Sequence, residues 1–271
     1  MPELPEVTVI AMGLRKALLG KKVSKVKLNP SRIFFSPPEV IAKALKGAMI
    51  KKIRRRGKFL LFYLSTDSIL LVHLGMTGQL LLYPLPPEDR HLMMELVFSD
   101  KSVLVLRDPR RFGKLGLIKA PQDYPTLAKL GPDALAGIKS PGDLLALFRA
   151  SSMPVKNLLL DQSRISGVGN IYANEALFLA GINPSKTGNN LNLREAALLL
   201  KALKSVLKRA VRAGGTTFDG TYVNSGGEAG AFLTHCRVYE REGKECFQCK
   251  GLIKKISQTK RSTYYCPVCQ K

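Results

Sequence analysis

Apolar positions follow two different rhythms along this chain, and the change of rhythm divides it. From residue 23 to 118 they gather into short runs at Val23–Leu28, Phe59–Leu64, Ile69–Leu74, Gln79–Tyr83, Leu92–Phe98, Ser102–Leu106 and Leu115–Ile118, parted by glycines, charged turns and Pro84-Leu85-Pro86-Pro87. Runs of that length between turn formers predict strands, and this many of them predict a β-sandwich or barrel. Beyond Gly131 the apolar residues recur every three or four positions, which predicts helices over Asp143–Ala150, Pro154–Gln162, Ile171–Ala180 and Arg194–Ala213. The boundary falls near residues 120–135, where Pro121, Pro125, Gly131 and Pro132 cluster. A helical stripe of Val7, Ile10, Leu14, Ala17 and Leu18 opens the chain, stops at Gly20, and is expected to pack on the sandwich. The fold class is therefore α+β, strands first and helices after.

Charge narrows the partner. The 271 residues suit two domains of ordinary size. Against 20 Asp+Glu stand 43 Lys+Arg, a formal net charge of +23, too lopsided for a typical metabolic enzyme. Such a balance implies a polyanionic partner, either nucleic acid or an anionic membrane surface. No apolar run approaches the ~18 residues of a membrane span. The first residues, with Glu3 and Glu6 and no apolar core, do not form a signal peptide. Cytoplasmic residence is expected, with nucleic acid the favoured partner and no membrane.

The cysteines add a metal. Cys246-x2-Cys249 and Cys266-x2-Cys269, sixteen residues apart, have the spacing of a four-cysteine zinc ribbon. Each knuckle sets two thiolates on one side of a tight turn, and two knuckles complete a tetrahedron. Four sulfur ligands leave no open position, so the one Zn2+ expected here is structural. Lys254, Lys255, Lys260 and Arg261 lie between the knuckles on an expected hairpin, where they either offset the charge of the thiolates or face phosphates. Cys236 stands outside the pattern and reads as a small buried residue.

The opening Met1-Pro2-Glu3-Leu4-Pro5-Glu6 carries candidate chemistry. Once Met1 is removed, Pro2 presents a secondary amine beside two carboxylates. Such an amine attacks carbon and forms an iminium without losing a second proton. The same residues also suit an ordinary helix start, with proline in the first turn and Glu3 and Glu6 on the positive end of the dipole. Locally, both readings stand.

Four motifs occur in one order over essentially the whole chain: Pro2-Glu3-Leu4-Pro5-Glu6-Val7, Asp108-Pro109-Arg110-Arg111-Phe112-Gly113, Gly167-Val168-Gly169-Asn170-Ile171-Tyr172 and the paired knuckles. Together they resemble the bacterial formamidopyrimidine-DNA glycosylase family, enzymes that remove 8-oxoguanine and ring-opened purines. Leu4 favours this family over the related endonuclease VIII, which usually has Gly there. The resemblance implies a catalytic β-sandwich domain over residues 1–130, a helix-two-turns-helix DNA-binding domain over 131–235 and a zinc-ribbon finger over 236–271. It implies a monomer acting on double-stranded DNA with damaged bases, held in the cleft between the domains.

Roles follow from the same resemblance. Pro2 would attack C1′ of the everted nucleotide, Glu3 would act as the acid that opens the sugar, and β- and δ-elimination would leave a one-nucleotide gap. Lys58 matches the lysine assigned to proton donation or phosphate contact during β-elimination, and Arg261 the arginine assigned to δ-elimination. Met76, Arg110 and Phe112 match the residues that fill the vacated space in the duplex, a task that suits a flexible apolar side chain, a hydrogen-bonding cation and an aromatic wedge. His91 and Asn170 match DNA contacts, and Lys156 a position near the damaged base. The Gly-rich stretch 214–230 corresponds to a loop that closes over the lesion; read by itself, a plain surface connection suits it equally.

There are departures. Thr8-Val9-Ile10-Ala11-Met12 stands where the family usually has Glu-Thr-Val-Arg-Arg, Arg90-His91-Leu92-Met93 where Lys-His-Asp-His is common, and Ser151-Ser152 replaces a basic stretch. These touch peripheral phosphate contacts and not the catalytic set. Two other readings remain at this stage: an endonuclease VIII-like enzyme for oxidised pyrimidines, and a non-catalytic zinc-ribbon DNA-binding protein.

Overall fold

The structure is a computed structural model that describes residues 1–218 and 220–271. The chain forms two compact units, one of residues 1–128 with 213–233, the other of 129–212 with 234–271.

The first unit is built on short apolar strands, several of them buried on both faces. Its strands are β1 (Val23–Leu28), β2 (Ile50–Arg56), β3 (Phe59–Leu64), β4 (Ile69–His73), β5 (Gln79–Tyr83), β6 (Leu92–Phe98), β7 (Val103–Arg107) and β8 (Lys114–Ile118). They pair antiparallel in two sheets, ordered β1-β6-β7-β5 and β2-β3-β4-β8. Leu60, Phe62 and Leu64 of β3, Leu70 and Val72 of β4, Met94, Leu96 and Phe98 of β6, and Leu104 and Leu106 of β7 meet in one core. That shared core makes the two sheets a sandwich, as expected. Helix α1 (Leu4–Leu18) contributes Val7, Ile10, Leu14 and Leu18 to it and lies against β2 and β3. Each large apolar side chain buried there stabilises the fold by about 1.5–3 kcal/mol relative to exposure.

Strand β2 and helices α2 (Pro38–Leu45) and α3 (Pro125–Ala128) of this unit are not among the elements expected. Strand β2 reads in the sequence as a run of cations, because only Ile50 and Ile53 turn inward while Lys51, Lys52, Arg54 and Arg56 are exposed. It is an edge strand, and exposed cations along an edge discourage pairing with another chain. Helix α2 (Pro38–Leu45) begins just after Pro37, with Ile41 and Leu45 buried. Short helix α3 (Pro125–Ala128) ends the continuous part of the unit.

The glycine-rich stretch returns to this unit and is stitched to it. Tyr222 joins the main core, and its hydroxyl donates to the Gly214 carbonyl at 2.9 Å. The Gln79 amide donates to the Thr221 carbonyl at 2.6 Å, and the Leu82 N–H to the Ser225 carbonyl at 2.9 Å. The Thr216 N–H donates to Glu6 Oε1 at 2.8 Å. Ser225 Oγ comes so close to α1 that a Cβ on Gly13 would stand 2.2 Å from it, so any larger residue there would have to displace the Ser225 hydroxyl. The expectation of a closing loop also covers residue 219, which lies outside the described residues.

In the second unit, helices α4 (Pro141–Phe148), α5 (Val155–Leu160), α6 (Asn170–Ala180) and α7 (Leu193–Arg212) bury Leu144, Phe148, Leu158, Tyr172, Ala176, Leu199 and Leu203 completely. Ser140 caps α4 by accepting the Asp143 N–H, which starts that helix earlier than its apolar pattern does. The hairpin of β9 (Lys254–Gln258) and β10 (Arg261–Tyr265) docks on α6. Asn174 Oδ1 accepts the Tyr264 N–H at 2.7 Å, and the buried Glu175 carboxylate accepts the N–H groups of Arg237, Val238 and Tyr239 at 2.8–2.9 Å. Burial pushes the Glu175 carboxyl upward, against the pull of those amides and of Arg237. Among the described residues, no helix is long and apolar enough to cross a membrane.

Glu6 is only 2% exposed and accepts two buried N–H groups, from Glu3 and Thr216. Glu6→Ala orphans both donors and should destabilise the protein by about 2–3 kcal/mol. The thermal midpoint should fall by about 2–4 °C per kcal/mol for a chain of this size class. An unchanged midpoint would show that the bridge contributes nothing.

Candidate active site

The candidate reactive end lies at the start of α1. Pro2 and Glu3 are buried while Met1 is exposed. Glu3 has extended backbone at the helix cap, and Glu6 Oε2 accepts its N–H at 2.8 Å. With Met1 in place the Pro2 nitrogen is a tertiary amide; without it the same nitrogen is a secondary amine with its direction already fixed.

Lys58 stands in the two-residue turn between the paired Arg56 and Phe59, where Gly57 has φ 56°. It is buried, unusual for lysine and more so at a hairpin tip. The register pairs Phe59 with His73, their rings 4.7 Å apart. Burial, with the charges of Lys58 and Lys114 added, lowers the His73 pKa to about 4. Its Nδ1 accepts the Gly75 N–H at 3.1 Å, so the neutral ring carries its proton on Nε2. The sequence reading did not single out His73. Its neighbour in space is set by strand register, which the local pattern does not reveal.

Just beyond His73, two loops interlock. Buried Asp108 accepts the Thr77 hydroxyl at 2.7 Å and the Gly113 N–H at 2.8 Å, and the Arg110 N–H reaches Thr77 Oγ1 at 3.3 Å. Gly75, at φ 61°, lies so near that a Cβ on it would stand 2.5 Å from the Phe112 carbonyl carbon. Held this way, Met76 and Phe112 keep 41% and 43% of their surface exposed. The Arg110 guanidinium sits 4.7 Å from the Phe112 ring centre. The structure thus brings Met76, Arg110 and Phe112 together. His91 adjoins them, since its carbonyl accepts the Asp108 N–H at 3.0 Å and Asp89 accepts its own N–H at 2.7 Å.

In the second unit, Asn170 opens α6 and donates from Nδ2 to the Ser262 carbonyl at 3.0 Å. Lys156 is 0% exposed, and its Nζ donates to the same carbonyl at 2.9 Å and to Thr263 Oγ1 at 2.6 Å. Both side chains converge on the hairpin one residue beyond Arg261. Thr259 and Lys260, at φ 47° and 61°, form the two-residue turn of the kind whose twist matches a hairpin. Arg261 follows it, exposed, at the first position of β10.

The sulfurs of Cys246, Cys249, Cys266 and Cys269 lie within 4.8 Å of one another, with Cys246–Cys269 at 3.9 Å and Cys249–Cys266 at 3.4 Å. A tetrahedron with Zn–S bonds of about 2.3 Å has edges of about 3.8 Å, so the four fit one zinc ion. Cys236 is buried and outside the group.

A sandwich headed by a buried proline and glutamate, a helical unit and a four-cysteine ribbon are together the parts of a helix-two-turns-helix DNA glycosylase. Family models match in the same order: the Formamidopyrimidine-DNA glycosylase N-terminal domain over residues 1–115, its H2TH domain over 130–221, and the zinc finger found in FPG and IleRS over 243–271. The Formamidopyrimidine-DNA glycosylase of Neisseria meningitidis serogroup A is 39% identical over 277 residues, covering 100% of both chains. The Lactococcus lactis Fpg in complex with abasic-site DNA superposes with a TM-score of 0.91 at 33% identity, covering 99% of each chain. A complex between a Lactococcus lactis FPG mutant and a Fapy-dG containing DNA gives 0.90 at 32%, covering 100% of each. The chain belongs to the formamidopyrimidine-DNA glycosylase family. It is a DNA glycosylase of base excision repair, in a family of glycosylase/AP lyases, with damaged DNA as partner and one zinc ion as cofactor.

Two outcomes follow. The folded pKa of His73 lies below its ordinary 6.5, so folding disfavours its protonation. Stability is then complete above that value and is lost as pH falls from 6.5 towards 4. Melts at pH 7.5 and 4.5 should show a smaller acid loss in His73→Gln than in the parent; equal losses would place the effect elsewhere. For the ribbon, Cys249→Ser or a strong chelator should release one equivalent of zinc by metal analysis. Because binding contributes on the order of 10 kcal/mol to folding such a module, protease should then cut within residues 236–271 first.

Proposed function

We propose that this chain excises oxidised purines, 8-oxoguanine and formamidopyrimidines, through an imine at Pro2 and then cleaves the strand by β,δ-elimination. The observation that carries the reading is the fixed, buried Pro2-Glu3 start, with the Glu3 amide held by Glu6. Removal of Met1 frees the amine, which attacks C1′ as the damaged base departs. Glu3 supplies the proton that opens the sugar. The resulting imine acidifies the neighbouring C2′ proton, which makes the first elimination feasible near neutral pH. Lys58 serves that elimination as proton donor or phosphate contact, and Arg261 serves the second.

Met76, Arg110 and Phe112 fill the space left by the everted nucleotide, which their exposure on interlocked loops supports. His91 adds a DNA contact, and Asn170 brings the N-terminus of α6 to a phosphate. Lys156 lies near the damaged base, steadied by its bonds to Ser262 and Thr263 of the hairpin. Residues 1–130 carry the chemistry, with the stretch 213–233 folded onto them; the helical segment to residue 235 and the ribbon from 236 to 271 hold DNA. The enzyme works as a monomer in the cytoplasm.

Intact mass should show the loss of Met1. Borohydride should then trap a covalent adduct with a duplex carrying 8-oxoguanine opposite cytosine, and Pro2→Gly should lower the rate of trapping. Protein without Met1 that gives no adduct would sink the proposal. Faster cleavage at thymine glycol than at 8-oxoguanine would assign the enzyme to pyrimidines instead.

A further inference from the structure

Arg32 has no part in the chemistry above, yet it is deeply committed to the turn that displays Phe112. Its Nε donates to the Arg111 carbonyl at 3.2 Å and its Nη2 to the Arg110 carbonyl at 3.2 Å. Its guanidinium carbon lies 5.6 Å from the centre of the Phe112 ring, which Arg110 also approaches, at 4.7 Å. One planar fork therefore holds two successive peptide planes and approaches the ring that follows them.

The turn needs such a hold. Arg111 has φ 56°, a left-handed conformation that costs a residue with a Cβ on the order of 1–2 kcal/mol. The Asp108, Thr77 and Gly113 bonds fix the base of the turn; the Arg110 and Arg111 carbonyls, at its tip, are bonded by Arg32. Arg32 is itself on a firm mount. The carbonyl of its neighbour Ile33, a fully buried residue, accepts the Leu115 N–H at 2.9 Å, and the Phe35 N–H donates back to the Leu115 carbonyl at 3.0 Å. The chain segment after β1 is thereby tied to β8, and Arg32 reaches from it across 79 residues of sequence to the turn.

We propose that Arg32 is a positioning residue for the wedge: it holds Phe112 and the Arg110 backbone in the conformation that enters the duplex, and so sets how readily a paired lesion is opened. This rests on the reading that Met76, Arg110 and Phe112 fill the vacated space. Arginine is required because two divergent donors and a flat face act at once, which a lysine ammonium does not supply.

Arg32 is exposed, so its variants should fold, and melts check this. Single-turnover cleavage is measured on a fully paired 8-oxoguanine duplex and on a single-stranded abasic site, where no pair must open. Relative to the single strand, Arg32→Ala should lose about tenfold on the paired duplex, the worth of two exposed hydrogen bonds and a ring contact. Arg32→Lys should resemble it. Phe112→Ala should show the same selective loss, and the double variant should be no worse than the poorer single one. Losses that multiply in the double variant overturn the proposal. So does a salt slope of binding reduced by about 0.9 in Arg32→Ala and restored in Arg32→Lys, which marks a phosphate contact. If Phe112→Ala keeps full rate on the paired duplex, the wedge reading itself fails and the proposal falls with it; a loss in Phe112→Ala without one in Arg32→Ala removes the positioning role alone.

Discussion

A single buried carboxylate ties the segment that carries Pro2 and Glu3 to a distant part of the chain. The two oxygens of Glu6 accept the N–H of Glu3, three residues away, and that of Thr216, 210 residues away. Burying an anion is costly unless it is bonded, and bonds from N–H to a carboxylate are stronger than neutral ones. The pair therefore acts as a clamp with one local and one distant jaw. The local jaw orients Pro2 and Glu3. The distant jaw closes the base of the stretch that places Tyr222 in the core, where burial, reinforced by the charge of Glu6, pushes the phenol upward and keeps it a neutral donor to Gly214.

The cations divide into two kinds. Most of the formal +23 lies on solvated faces, such as Lys51, Lys52 and Arg54 on the edge strand and Arg194, Lys201, Lys208 and Arg212 along α7. Such charge attracts a polyanion over a distance and is screened by salt within about 10 Å at 0.1 M. Lys58 and Lys156 are different, because both are buried. Burial, with the charge of Lys58 added, keeps His73 uncharged, and Lys156 fixes the hairpin that presents Arg261. Attraction is thus spread over the surface, while geometry rests on a few enclosed groups.

What the sequence made legible was local. The four cysteines could be read because their spacing encodes their geometry, β3 and β4 because each is a short continuous apolar run, and α1 because one face of it is apolar. Strand β2 was hidden by the cations on its exposed side. His73 was hidden because its importance lies in register against Phe59, and Arg32 because its partners lie 78 and 79 residues away in the sequence. Lys156 was placed near the base by resemblance, but its buried bonds to Ser262 and Thr263 become visible only in three dimensions. Pairings between distant segments carry the rest of the site, and no window of neighbouring residues contains them.

The chain passes from the first unit to the second at residue 129, returns at 213, and leaves again at 234. During synthesis the sandwich strands emerge early, yet Thr216 and Tyr222, which complete their clamp and core, follow only after the helices of the other unit. Domains that are contiguous can fold as they leave the ribosome; this one is completed only when its last piece arrives. An unfinished polypeptide therefore carries the Glu6 carboxylate with its local partner Glu3 but without Thr216, and the second jaw of the clamp closes only after more than two hundred further residues have followed.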